Sequence, residues 1–120
     1  FRMNYITPKT ADLLLTGASQ ENLYQKLIDQ INKDFNLANE SIDIPENTLP
    51  ENLKQLLHEK IYRLIQYKFA EYLNLLYIID VSESEIKKLD GSDISALSSQ
   101  VAFMILKREW QKVWFRNKFK

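Results

Sequence analysis

TLPENLKQLLHEKIYRLIQYKFAEYLNLLYII, residues 48–79, is the stretch on which the fold of this chain turns. Thr48 and Glu51 have the spacing of a capping box, and Pro50 falls in a first turn, where its missing N–H costs nothing. No further glycine or proline occurs before Gly91. Leu53, Leu57, Ile61, Leu64, Ile65, Phe69, Tyr72, Leu73, Leu76 and Ile79 step by three and four, which is the spacing of a helical stripe. The pattern predicts one helix over 49–79. At 1.5 Å per residue it would be roughly 45 Å long. A compact domain of this length should measure only ~35 Å across. The helix therefore implies an elongated bundle or a projection toward a partner.

Shorter elements flank it. Thr7-Pro8 reads as a cap and first-turn proline, opening a short helix near 8–16 that Gly17 ends. Ser19 then caps a helix over about 20–36, whose Leu23, Tyr24, Leu27, Ile28, Ile31 and Phe35 form one apolar face. In 39–47 the helical period stops, and Ile42 and Ile44 alternate with Asp43 before Pro45, as in an extended crossover. Ser82 and Glu85 make a second capping box for a short helix over 83–89, closed by Asp90-Gly91. Ser92 or Asp93 caps the last helix, over about 93–117. The fold class is all-α, an elongated bundle of three long and two short helices, with residues 1–120 as a single domain. Phe69, Leu73, Leu76, Val101 and Ile105 are its expected core, so that Leu73→Ala should cost roughly 2–5 kcal/mol.

Composition narrows the function classes. With 45% hydrophobic and 27% charged residues, the chain is neither disordered nor membrane-embedded, and no transmembrane segment is expected. Phe1-Arg2-Met3 lacks a signal-peptide pattern, Met3 is a candidate initiator, and a cytoplasmic location is the default. Zero cysteines excludes disulfides and thiol chemistry. His58 begins a sequence like that of zinc-protease helices, but Tyr62 stands where the second histidine belongs and no other histidine exists. Gln55 occupies the place of the glutamate that a di-iron bundle needs. No catalytic residue, metal ligand or cofactor site is assigned. Tyr62, Tyr67, Tyr72 and Tyr77 recur every five residues and so spiral around a helix instead of lining one face. Residues 82–106 have the outline of a helix-turn-helix, but the second helix starts with an acid and lacks a base before Lys107.

Charge is balanced overall but unevenly placed. Residues 19–59 carry eight acids against three bases, and residues 107–120 carry six bases against one acid. In that last stretch the apolar face of the helix also changes sides. Ile94, Leu97, Val101, Met104 and Ile105 lie on one side, whereas Phe103, Leu106, Trp110, Val113 and Trp114 lie nearly opposite. The two ends must touch different neighbours, either within one core or in a second chain.

The leading expectation is a non-enzymatic protein–protein interaction or scaffold module that forms a homodimer. Its candidate interaction surface is Trp110, Val113 and Trp114 with Lys112, Arg116 and Lys118. The alternative is a nucleic-acid-binding protein in which those cations hold phosphates and the rings stack on bases; nucleic acid is the less favoured partner. An enzyme without a local motif comes third. An internal account competes with both binding readings. In it the cations neutralise Glu40, Asp43, Glu46, Glu51 and Glu59, and the segment around Ile42 and Ile44 covers the tryptophans of a monomer.

Overall fold

The computed structural model describes residues 4–119; Phe1, Arg2, Met3 and Lys120, and with them the reading of Met3 as initiator, lie outside the described residues. Six helices occur among these, and no strand: α1 (Ala11–Gln20), α2 (Tyr24–Leu37), α3 (Pro50–Tyr67), α4 (Phe69–Ile79), α5 (Glu83–Lys87) and α6 (Ile94–Lys118). The all-α bundle is therefore as the periodicity implied, with different helix limits.

Local hydrogen bonding explains the limits. Thr10, not Thr7, caps α1: its Oγ1 accepts from the Leu13 N–H at 3.1 Å. The helix runs through Gly17 to Gln20, so Ser19 lies inside its last turn instead of capping α2. Asn22 takes a left-handed φ of 58° in the turn that follows, a conformation that asparagine tolerates well. The capping box at Thr48 does not form either. Thr48 Oγ1 donates to the Pro45 carbonyl at 2.7 Å, the Thr48 carbonyl accepts from the Tyr24 hydroxyl, and α3 starts at Pro50 behind Leu49. By contrast, Ser82 caps α5 through the Glu85 N–H, and Asp93 caps α6 through the N–H groups of Ser95 and Ala96.

The predicted 49–79 helix is two helices. Lys68 adopts φ −141° and ψ 59°, which breaks the hydrogen-bond ladder between α3 and α4 without glycine or proline. Its side chain is held at 2.6 Å by Glu40, which also takes Lys60 at 3.2 Å. Glu40 thus bridges the break and Lys60, about two turns earlier on α3, and the ammonium of Lys68 holds its carboxyl below the usual range against the opposing effect of burial. The break lets α4 pack on α2 and α6 as well as on α3. The molecule measures 45 × 30 × 24 Å with a radius of gyration of 14.0 Å.

α6, not the 48–79 stretch, is the element around which the bundle is built, because α1, α2, α3 and α4 all pack against it. This accounts for its change of apolar side. Val101 and Ile105 are buried, and so are Leu106, Trp110, Val113 and Trp114, all within one core. The crossover at 39–47 is pinned through Ile44, whose N–H and carbonyl both bond the Asn32 side chain, at 2.8 and 3.0 Å. Of the expected core, Leu76, Val101 and Ile105 are buried, but Phe69 and Leu73 are exposed. The buried face of α4 is instead Tyr72, Leu75, Leu76 and Ile79.

Candidate interaction surface

The structure places the apolar part of the sequence-derived surface inside the molecule and leaves Arg116 and Lys118 exposed. Trp110, Val113 and Trp114 are only 3%, 3% and 7% exposed in a single chain. Tyr5 meets Trp114 edge-on at 5.2 Å and Phe115 at 5.3 Å, so the segment before α1 contributes to this cover. The exposed tryptophan patch on which the dimer expectation rested is absent, because α6 is surrounded on both sides. The same burial withholds the tryptophan rings as platforms for stacking bases.

The cations are engaged within the chain, as the internal account held, but with other partners. Lys112 Nζ lies 2.7 Å from Asp34, Arg116 donates to Gln30 at 2.8 Å, and Lys118 pairs with Glu21 at 3.3 Å. Arg108 bonds both the carboxylate and the carbonyl of Asp80, at 2.9 and 3.1 Å. Lys107 lies over the Phe103 ring at 4.8 Å. None of these bonds reaches Glu51, Glu59 or the acids of the crossover.

Beneath Lys112 lies a buried acid pair that sequence reading did not single out. Glu109 is fully buried, and neither of its carboxyl oxygens has a hydrogen-bond partner when written as a carboxylate. Lys112 stands 3.1 Å from it while bonding Asp34. Burial, reinforced by the neighbouring Asp34 carboxylate, pushes Glu109 up to about 9. Burial acts the same way on Asp34, but hydrogen bonds from Glu109, Lys112 and Gln30 outweigh it and hold that carboxyl below the usual range. The two shifts run in opposite directions, so a proton shared by the pair is favoured on Glu109. The signal was present in the sequence: Ala102, Leu106, Glu109 and Val113 step by four, three and four, so the glutamate fills a place in a buried stripe.

A second arrangement joins residues far apart in the chain. Ser99 Oγ and His58 Nδ1 are 3.0 Å apart, in a cleft of about 670 Å³ between α3 and α6. Glu51, Lys54, Gln55 and Ser95 form its polar rim, and Ala102, Phe103 and Leu106 line it. Among the described residues no carboxylate is hydrogen-bonded to the imidazole; Glu59, one residue on, accepts instead from Gln55 at 3.2 Å. The contact thus lacks the third group that orients a catalytic histidine. No group of three or more potential metal ligands occurs among the described residues, and no helix there is long and apolar enough to cross a membrane.

The surface that stands out is on α4. Phe69, Leu73 and Tyr77 are 55%, 50% and 81% exposed, and they follow one another at intervals of four on a single helix. Successive members are displaced by only about 40° around the axis and ~6 Å along it, so they make one ridge. Ala70 and Asn74, both exposed, form a lower row beside it. Tyr67, at the end of α3, is also 77% exposed. On the opposite side of the helix, Tyr72, Leu75 and Ile79 anchor the ridge to the core, and burial raises the Tyr72 hydroxyl to about 12. Compared with protein families, curated proteins and solved structures, this chain has no match.

Proposed function

We propose that this chain is a non-enzymatic protein–protein interaction module whose contact surface is the outer face of α4. The observation that carries the reading is the ridge of Phe69, Leu73 and Tyr77, half or more exposed on a helix whose inner face is held in the core. Scattered apolar residues on a surface are ordinary; three large ones aligned on one helix are the pattern of a recognition face. Aromatic residues are enriched at interfaces because they supply large contact areas at small entropic cost. From their exposed fractions, the three side chains offer roughly 400 Å² of removable surface, worth on the order of 10 kcal/mol before the cost of association. The Lys112, Arg116 and Lys118 cluster belongs to the scaffold in this reading, which holds α6 against α1 and α2.

A photo-activated cross-linking residue at position 73, expressed in the native cells, tests this. The expected result is discrete covalent adducts from position 73 and none from Leu13, which is comparably exposed on α1. Equal labelling from both positions, or none from 73, would remove the assignment of α4.

A further inference from the structure

We infer that the cleft between α2 and α6 binds phosphate, free or as the monoester of a small molecule, with the phosphoryl group held by Arg116 and Lys33. This goes beyond the contact face assigned to α4 and does not depend on it. The cleft has a volume of about 300 Å³, lined by Lys26, Asp29, Gln30 and Lys33 from α2 and by Val113 and Arg116 from α6. That is the small end of the ~300–1,000 Å³ range of ligand clefts.

Gln30 is the centre of the arrangement. It is 6% exposed, and both ends of its amide are used: Nε2 donates to Asp34 at 3.1 Å, and Oε1 accepts from Arg116 Nη1 at 2.8 Å. Asp34 is in turn paired with Lys112 at 2.7 Å. A buried chain of bonds thus fixes the guanidinium at the cleft, while no other bond of the Arg116 side chain occurs among the described residues. Its remaining N–H groups keep the planar donor geometry that matches two oxygens of a phosphate. Lys26 precedes Gln30 by four residues and Lys33 follows it by three, so both flank it on one face of α2, with Cβ atoms ~5–6 Å from its own. The Lys33 ammonium has no ion pair or hydrogen bond among the described residues. Lys26 has a contact within the chain and adds its charge to the lining. The one acid of the lining, Asp29, already accepts from Gln25 at 3.0 Å. Three cations against one acid leave the cleft with excess positive charge, which favours an anion there. A phosphoryl group suits the cleft better than a carboxylate, because it carries up to two charges and offers three acceptor oxygens to cations approaching from two helices.

Isothermal titration calorimetry of the full chain at pH 7, with ionic strength matched by sodium chloride, tests this with inorganic phosphate and phenyl phosphate. The expected result is saturable binding of at least one, with a Kd of ~1 mM or tighter. Whichever binds more tightly names the source, free anion or monoester. Lys33→Glu should weaken that binding at least about tenfold, whereas Lys87→Glu, the same change of charge on α5, should alter it less than about twofold. Both lysines are exposed, so neither variant disturbs the core. Arg116→Lys keeps the charge but loses the planar donor pair, and should weaken binding about threefold or more. No saturable binding of either compound below ~20 mM, or equal losses from Lys33→Glu and Lys87→Glu, would overturn the site. A mixed oligonucleotide that binds far more tightly than both, with steep salt dependence, would assign these cations to nucleic acid and overturn it as well.

Discussion

Replacing Glu109 with glutamine raises the unfolding free energy at pH 7 by roughly 2–3 kcal/mol, a large gain from a change of one group. The reason lies in the proton that the folded chain must hold. In the unfolded chain the carboxyl titrates near 4.5, whereas in the buried site burial and Asp34 push it up to about 9. Between these two values the folded state binds one proton more than the unfolded state. Stability from this group is therefore greatest below 4.5, falls as pH rises through the interval, and levels off above about 9. Glutamine keeps the shape, has no ionised form to desolvate, and carries a donor that can face Asp34. Asp34 acts in the opposite sense and in a lower window. Its depressed carboxyl contributes stability above its ordinary value of 3.8 that is lost only as pH falls through the folded value. Urea denaturation from pH 4.5 to 9 is the check: the wild-type curve should slope downward and the variant's curve be much flatter. A variant less stable than wild type at pH 7 would mean that Glu109 is ionised and paired with Lys112.

Trp110→Ala should be the most damaging single truncation, at about 3–5 kcal/mol, the range for a large buried aromatic. Domains of this kind have only about 5–15 kcal/mol in total, so the variant would be close to unfolding at 37 °C. The expectation follows from where α6 runs. Trp110 is 3% exposed, with Leu106, Val113 and Trp114 buried beside it on the same helix. Chemical denaturation monitored by circular dichroism gives the number. A loss below about 1 kcal/mol would place the ring at the surface and restore the α6 face as a binding site.

What could be read from the sequence follows the range of the interactions concerned. Ser82 and Asp93 were legible because a cap bonds groups two or three residues away. Thr48 had the same spacing but was drawn off to Pro45 and Tyr24, and the second of these contacts spans 24 residues. The break at Lys68 is accompanied by a bond to Glu40, 28 residues earlier, which no local pattern displays. The His58–Ser99 contact, 41 residues apart in the chain, was hidden for the same reason.

The burial of α4 was legible but needed a stricter count. Steps of three and four admit Phe69 and Leu73 to the stripe. Placing each residue at 100° from Leu53 puts Leu75 and Ile79 with the buried face of α3 and sets Leu73 about 160° away from its centre. The tryptophans show the converse. Their change of face correctly implied different neighbours along α6, but the cover supplied by Tyr5 and α1 arises only from tertiary packing.

Leu73→Glu gives the most direct test that α4 presents a free contact face and not a piece of core. Its unfolding free energy should be measured at about 1 μM chain, where weak association through that face does not contribute. A half-exposed side chain on a well-anchored helix can accept a charge, so the account predicts a value within about 0.5 kcal/mol of wild type. A loss above about 2 kcal/mol would show that Leu73 is buried, as the stepwise reading of residues 48–79 expected, and would contradict the assignment of α4 as the contact surface.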